Sequence, residues 1–481
     1  MKAEEYVEHD ATALAERVRA RDVKRSEVLA AAIEIAQRRN PQINAICHDP
    51  YDEVLSQVRA GDDAPPSTAP FDGVPFLLKD LGAEYEGFPM RFGCRALADN
   101  VCTYTDTLTQ RYLDAGVSIF GRTTTPEFGL IAVTESELYG DTRNPWNLEH
   151  TPGASSGGAG AAVAAGIVPF AHANDGGGSI RIPASCCGLV GMKPSRGRTP
   201  AGPVAGELVS GFGYQHVVAR TVRDCAGMLD ATAGPETGDI YAAPPAPGPF
   251  VAEVGQDPGA LRVAFWTKYW QNDEPTDPEC VEAVEAAAKL LEGLGHRVEE
   301  KRPDVDFESL VQAFSVQWGA LAASAVENIR RAVPGLDEAA VFEPFTRELA
   351  EVGRSRSALD LTLARDAMFA SARNMGRFHE TYDVLVTTVL GTPPLRIGEW
   401  SRASARFLDD ESRANRFMLS SHLTNASGQP AITLPLHMTR DGLPVGVMFT
   451  AAFGREDLLY RLAGQIEQAA PWNDRRPDVF G

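Results

Sequence analysis

No uninterrupted apolar run in this chain approaches the roughly 18 residues a membrane-crossing helix needs, which excludes a helical membrane span. The cysteines form no framework either. Cys47, Cys94, Cys102, Cys186, Cys187, Cys225 and Cys280 are an odd, scattered set without a C-x-x-C repeat, which argues against disulfide stapling and a zinc site and for buried thiols. Positive charge is scarce. With 45 basic against 65 acidic residues the formal charge is −20, a field that repels phosphate backbones and anionic membranes, so neither nucleic acid nor membrane is an expected partner. The same charge simply keeps a protein soluble, and it identifies no substrate. The first residues, MKAEEYVEHD, have neither a basic nor an apolar leader segment, and a cytoplasmic location is the expectation.

What is present describes an ordinary globular chain of 481 residues, 44% hydrophobic and 23% charged, able to bury a large core. Asp22 and Asn40 bracket a helical pattern, APPSTAP at 64–70 is a turn-rich connector, and FDGVPFLLKD reads as a strand leading to Lys79. SIFGRTTTPEFG gives a strand and loop. From Ser155 to Ser195 small residues dominate: GGAGAAVAAG predicts a tightly packed helix, IVPFAHA a buried strand, SIRIPA a helix start and GLVGMK another strand. This alternation is that of an α/β core. AAPPAPGPF at 242–250 is a surface connector, LRVAFW a strand, and Asp277 with Pro278 starts a helix whose face is Val281, Val284, Ala288, Leu291 and Leu294. A helical stretch at about 307–378 has room for a substrate-shaping region, and YDVLVTTVL and QPAITLPLHMTRDGLPVGVMFTAA supply strands that rejoin the core.

Two serines in glycine-rich turns carry the chemistry. Cleaving an amide needs a nucleophile, a proton shuttle and donors for the oxyanion. In DGGGS, Ser179 offers a hydroxyl, and the N–H groups of Gly176, Gly177 and Gly178 are candidates to converge on a developing negative charge. A GGGS tetrapeptide is also what a flexible linker looks like. Here it lies between a buried strand and a helix start. Ser155 in GASSGG matches G-x-S-x-G, yet the nucleophile elbow needs a strand before its serine, whereas NPWNLEHTPG is broken by Pro145 and Pro152. Lys79, flanked by VPFLL, is drawn toward apolar surroundings that favour the neutral amine of a general base; lowering its pKa by ~3 units costs about 4 kcal/mol.

Taken together, FDGVPFLLKD, PGASSGGAGAAVAAG and DGGGSIRIPASCCGLVGMKPS resemble the amidase signature family, with ARTVRD, YDVLVTT and the N-x-x-G-Q-P-A segment from Asn425 extending the match over nearly the whole chain. The spacing is specific, with Lys79 76 residues before Ser155 and Ser155 24 before Ser179. The resemblance implies a single large α/β/α domain over 1–481 with a central mixed β-sheet covered by helices. It also implies a Ser-cisSer-Lys triad: Ser179 as nucleophile, Ser155 as the bridging serine after a cis peptide, Lys79 as base. Gly176, Gly177 and Gly178 look like the family's oxyanion hole, and Arg181 resembles an arginine that braces the loop. Ala154 stands where the family usually has the second glycine of GGSSGG.

Within the family, Asn174-Asp175 where many members have Thr-Asp, together with Cys186-Cys187, is similar to the branch of 6-aminohexanoate-cyclic-dimer hydrolases, enzymes of cyclic amides and nylon-related oligomers. The implied substrate is a small cyclic or linear amide: a lactam, such a dimer or a related oligomer, an anilide or a carbamate. Gly129, Leu130 and Ile131 occupy the place where the family lines its acyl pocket, though packing against the core explains them equally well. No cofactor and no metal is called for, and a homodimer is left open. The alternative is the amidase subunit of a tRNA-dependent amidotransferase, which works beside a partner; the Asn-Asp variant argues against it. A non-catalytic scaffold would lack one of the three positions, and none is lacking.

Overall fold

The computed structural model describes residues 1–65, 67–400, 416–418 and 421–480; residue 66 of the predicted connector lies outside them. Thirteen strands follow in chain order: β1 Ile46–His48, β2 Pro75–Lys79, β3 Ser118–Thr123, β4 Glu135–Ser136, β5 Gly140–Asp141, β6 Phe170–Asp175, β7 Val190–Lys193, β8 Tyr214–Ala219, β9 Arg262–Trp266, β10 Arg297–Glu300, β11 Val384–Thr388, β12 Ala431–Met438 and β13 Pro444–Ala451. Eight of them make the central sheet, in the order β10-β9-β11-β13-β12-β7-β8-β6. It is a mixed sheet. β10, β9 and β11 run parallel, and every pairing from β11 to β6 is antiparallel. Strands buried on both faces read as continuous apolar runs, and β7, β8, β11 and β13 are buried at every residue. The connector at 242–250 does not interrupt this sheet, since β9 joins it from the far side of that segment.

A smaller sheet, β1-β3-β2, leads Lys79 to the edge strand β6 of the large one, where the Lys79 backbone N–H donates to His172 Nδ1 at 3.2 Å. Helix Gly157–Ala164 and helix Arg181–Cys187 are buried throughout, as their small residues require. The second lies so close to the sheet that a Cβ on Gly191 of β7 would come within 2.6 Å of Ala184 Cβ.

One helix boundary and one buried helix face differ from the expectation. The N-terminal helix runs Arg25–Ile43 rather than stopping at Asn40: Pro41 fits in its last turn, and Asn44, in the left-handed region at φ 49°, ends it. Helix Pro278–Gly293, capped by Asp277 as expected, buries Cys280, Ala283, Val284, Ala287, Ala288 and Leu291, so Val281 and Leu294 lie at the margin of its face. From 307 to 381 come helices Phe307–Ala332, Glu338–Val341, Pro344–Arg354 and Ala358–Thr381. All seven cysteines are free thiols, six of them buried. Among the described residues no helix is long and apolar enough to cross a membrane.

Candidate active site

Lys79 ends β2 with its whole side chain inside the protein. Its Nζ lies 2.7 Å from Ser155 Oγ and 2.6 Å from Asn174 Oδ1. Burial pushes the Lys79 ammonium well below its ordinary pKa, against the opposing pull of the Asp175 and Asp80 carboxylates. The backbone on either side is pinned. Arg122, itself fully buried, donates from Nη1 to the Lys79 carbonyl at 2.7 Å. Because a backbone N–H can only donate, His172 Nδ1 is an acceptor and its Nε2 carries the proton toward Gln215 Oε1 at 3.1 Å. Burial, then Lys79, hold His172 down at about 3, so it adds no positive charge beside the amine. Asp80 accepts from the N–H groups of Arg91 and Gly93 and from the Tyr139 hydroxyl at 2.8, 3.1 and 2.7 Å.

The Ala154–Ser155 peptide is cis, and Ser155 follows loop rather than strand, so the arrangement is not a nucleophile elbow. Gly129 sits against it. A Cβ there would lie 2.9 Å from Ser155 Oγ and 2.8 Å from Leu81 Cδ2, at a φ of +69°. The close approach therefore requires glycine, and Gly129→Ala is expected to displace the Ser155 hydroxyl and cost about 10²-fold in kcat, a loss to be read from steady-state rates. Of its neighbours, Leu130 offers its carbonyl to Trp318 Nε1 at 2.9 Å, and Ile131 is buried.

Ser179 lies in the turn between β6 and helix Arg181–Cys187, 8% exposed, and its hydroxyl has no hydrogen-bond partner among the described residues. The turn is organised by Asp175. Its carboxylate accepts from the Gly178 N–H at 2.7 Å and the Ile180 N–H at 3.2 Å. The Gly178 N–H, expected among the oxyanion donors, is thus already given to Asp175, while the N–H groups of Gly176, Gly177 and Ser179 keep no partner among the described residues. Arg181 grips the same carboxylate in a bidentate pair, Nε to Oδ2 and Nη2 to Oδ1, each 2.9 Å, with both side chains fully buried. Burial alone would raise the Asp175 pKa; the Arg181 guanidinium and the Asn425 amide outweigh it and hold the carboxyl at about 2. Arg181 reaches on to the Ser421 carbonyl, Thr424 Oγ1 and Asn425 Oδ1 at 2.8, 2.6 and 2.7 Å. Ser421 Oγ donates to the Gly177 carbonyl at 2.5 Å, holding that peptide from behind.

The long helix Phe307–Ala332 closes over the glycines. Side chains at Gly176 and Gly177 would meet the Trp318 ring at 3.1 Å and the Phe314 ring at 2.9 Å. Phe314 and Trp318 stack on one another, with ring centroids 4.8 Å apart. Phe314 also borders a cavity of about 1180 Å³ walled by Trp270, Phe307, Trp400 and His422; Ser179 is not part of that wall. Sequence reasoning missed Arg122, His172, Ser421, Phe314 and Trp318. Of these only Ser421 carried a local signal, four residues before the Asn425 of the N-x-x-G-Q-P-A segment.

A mixed sheet under helices, with a buried lysine against one serine and a glycine turn around another, defines the class. The family model described as Amidase matches residues 27–460, and the chain belongs to the amidase signature family; it is an amidase. Among its relatives, it is 38% identical to the 6-aminohexanoate-cyclic-dimer hydrolase of Paenarthrobacter ureafaciens, over 98% of this chain and 97% of that one. The protein of the same name from Pseudomonas sp. (strain NK87) is 37% identical, with coverage of 98% and 97%. A solved structure of 6-aminohexanoate cyclic dimer hydrolase complexed with substrate superposes with a TM-score of 0.91 at 35% identity, covering 99% of this chain and 100% of the other.

Proposed function

We propose that the protein is a stand-alone serine hydrolase that cleaves carbon–nitrogen amide bonds through Ser179, Ser155 and Lys79 by way of an acyl-enzyme. The observation that carries this reading is a fully buried lysine amine 2.7 Å from a serine hydroxyl, with its charged form disfavoured. A neutral amine there is a base without cost at the moment of reaction.

Ser179 Oγ attacks the amide carbon as its proton passes to Ser155 and the Ser155 proton passes to Lys79. The carbonyl oxygen becomes an oxyanion that the Gly176, Gly177 and Ser179 N–H groups face, stabilisation of a kind worth about 3 to 4 kcal/mol per donor. When the tetrahedral adduct collapses, the carbon–nitrogen bond breaks. The relayed proton returns to the nitrogen, and the amine leaves. Water then gives its proton to the same relay, adds to the acyl carbon and releases the acid with Ser179 regenerated.

The substrate class we assign is a small cyclic or linear amide: a lactam, 6-aminohexanoate cyclic dimer or related oligomer, an anilide or a carbamate. Two things support it, the likeness to hydrolases of that cyclic dimer and the stacked Phe314 and Trp318 over the glycine turn, against which a polymethylene or aryl arm packs. The test is to incubate the pure protein with a mixed panel of cyclic and linear amides, anilides and carbamates and identify products and any Ser179 adduct by mass. Hydrolysis of at least one, with the acyl mass on Ser179, is expected. A blank panel would favour the partner-dependent amidotransferase subunit instead.

A further inference from the structure

We propose that Asn174 is a positioning residue that fixes which face of the Lys79 amine meets Ser155. The inference rests on the reading of Lys79 as the base. A neutral amine has two N–H bonds and one lone pair, and a base must aim the lone pair at the proton it takes. Lys79 Nζ has two oxygen neighbours, Ser155 Oγ at 2.7 Å and Asn174 Oδ1 at 2.6 Å. A hydroxyl oxygen accepts or donates, whereas a carboxamide oxygen only accepts. The orientation of that carboxamide is fixed from its other end: Nδ2 donates to the Leu81 carbonyl at 2.5 Å, an acceptor that only an NH₂ group satisfies. Oδ1 therefore faces the amine and accepts from one of its two N–H bonds, and in the proposed arrangement the lone pair rather than the second N–H is turned toward Ser155.

The rest of Asn174 is held as firmly. Its backbone exchanges two hydrogen bonds with Ser156, the residue after the bridging serine: the Asn174 N–H donates to Ser156 Oγ at 3.3 Å, and Ser156 Oγ donates to the Asn174 carbonyl at 3.2 Å. Gly82 keeps the space clear, since a Cβ there would come within 3.2 Å of Asn174 Nδ2 and 2.9 Å of Gln215 Oε1. Asn174 thus couples the amine, the bridging serine's turn and the chain after β2.

The charged and titratable groups facing Lys79 are the Asp80 and Asp175 carboxylates, the Arg122 guanidinium on its carbonyl and the neutral His172 imidazole on its N–H. Asn174→Asp would place a carboxylate at the nearest position of all, stabilising the ammonium. Asn174→Leu would remove the acceptor and free the amine to turn an N–H toward Ser155.

The experiment is the rate of covalent labelling of Ser179 by an alkyl fluorophosphonate, in which Ser179 Oγ displaces fluoride and its proton enters the relay, followed by intact mass from pH 5 to 10 with the unfolding midpoint of each variant. Asn174→Asp is expected to raise the pH of half-maximal labelling by about 1 unit or more. Asn174→Leu is expected to slow labelling about tenfold or more without raising that pH. A role confined to packing would slow both variants and leave the midpoint pH where it is, which overturns the proposal, as does labelling by both at the native rate. If Asn174→Leu does not fold, the shift in Asn174→Asp alone decides. Failure of the native protein to label at Ser179 would instead sink the parent reading, so the two failures are distinguishable.

Discussion

Ser179→Ala is expected to lower kcat by about 10⁴-fold or more while leaving the thermal unfolding midpoint in place. In the proposed mechanism that hydroxyl is the atom that carries the acyl group, and Ser155 is poorly placed to replace it, since its Oγ lies against Lys79 with Gly129 packed on it. The residual rate would come from substrate binding and the N–H groups of the turn. Stability should not change, because the Ser179 hydroxyl has no hydrogen-bond partner among the described residues and its loss leaves no orphaned group. Steady-state kinetics and a melting curve on the same preparation decide the matter. A variant that keeps most of its activity would return the nucleophile's role to Ser155.

The second large effect is on the fold. Arg181→Met is expected to cost about 3 to 5 kcal/mol, since it leaves the fully buried Asp175 carboxylate without its cation and abandons the Ser421 carbonyl, Thr424 and Asn425. The pH dependence separates this from a simple packing loss. With its pKa held at about 2, below the ordinary 3.8, Asp175 in the native protein contributes roughly 2 kcal/mol above pH 4 that is lost as pH falls toward 2. Without Arg181, burial raises the same pKa above the unfolded value, and protonation then relieves the variant. The gap between the two proteins should therefore be widest near neutral pH and shrink below pH 4, measured as urea midpoints across that range. A gap of constant width would show that the lost guanidinium mattered only as volume. Arg181→Lys, which keeps the charge and gives up the two-pronged contact, should fall between them.

Much of this site was legible in the chain because Lys79, Ser155 and Ser179 sit in short motifs whose local chemistry is distinctive. Ser179 follows three glycines, Ser155 precedes a helix of small residues that tolerates burial only because it has no bulk, and Lys79 ends an apolar strand. Asp277 and Pro278 announced their helix for a similar reason: a cap and a proline at the first turn act within a few residues. What could not be read depends on distance along the chain. Arg122 meets the Lys79 carbonyl from β3, and Trp318 reaches the Gly176 turn from 142 residues further along the chain. Neither has a periodic or turn signature, because an arginine on a strand or a tryptophan on a helix face looks alike whether it faces a site or a core. The Gly178 N–H departs from the expectation for the same reason. Three glycines in a row offer three donors, and only the position of Asp175, folded back over the turn, shows that one of them is taken.

The strand order has a bearing on how the protein is made. β12 and β13 follow the other six strands of the sheet along the chain, yet they occupy the middle of it, between β11 and β7. A nascent chain that has already exposed Lys79, Ser155 and Ser179 consequently holds two half-sheets with open inner edges, each a template for unwanted pairing. The Arg181 side chain likewise waits for Thr424 and Asn425. The sheet and the Arg181 network are therefore completed by a segment more than 200 residues beyond Ser179. A chain that stops before Ala431 contains Lys79, Ser155 and Ser179 but lacks the two strands that join the half-sheets.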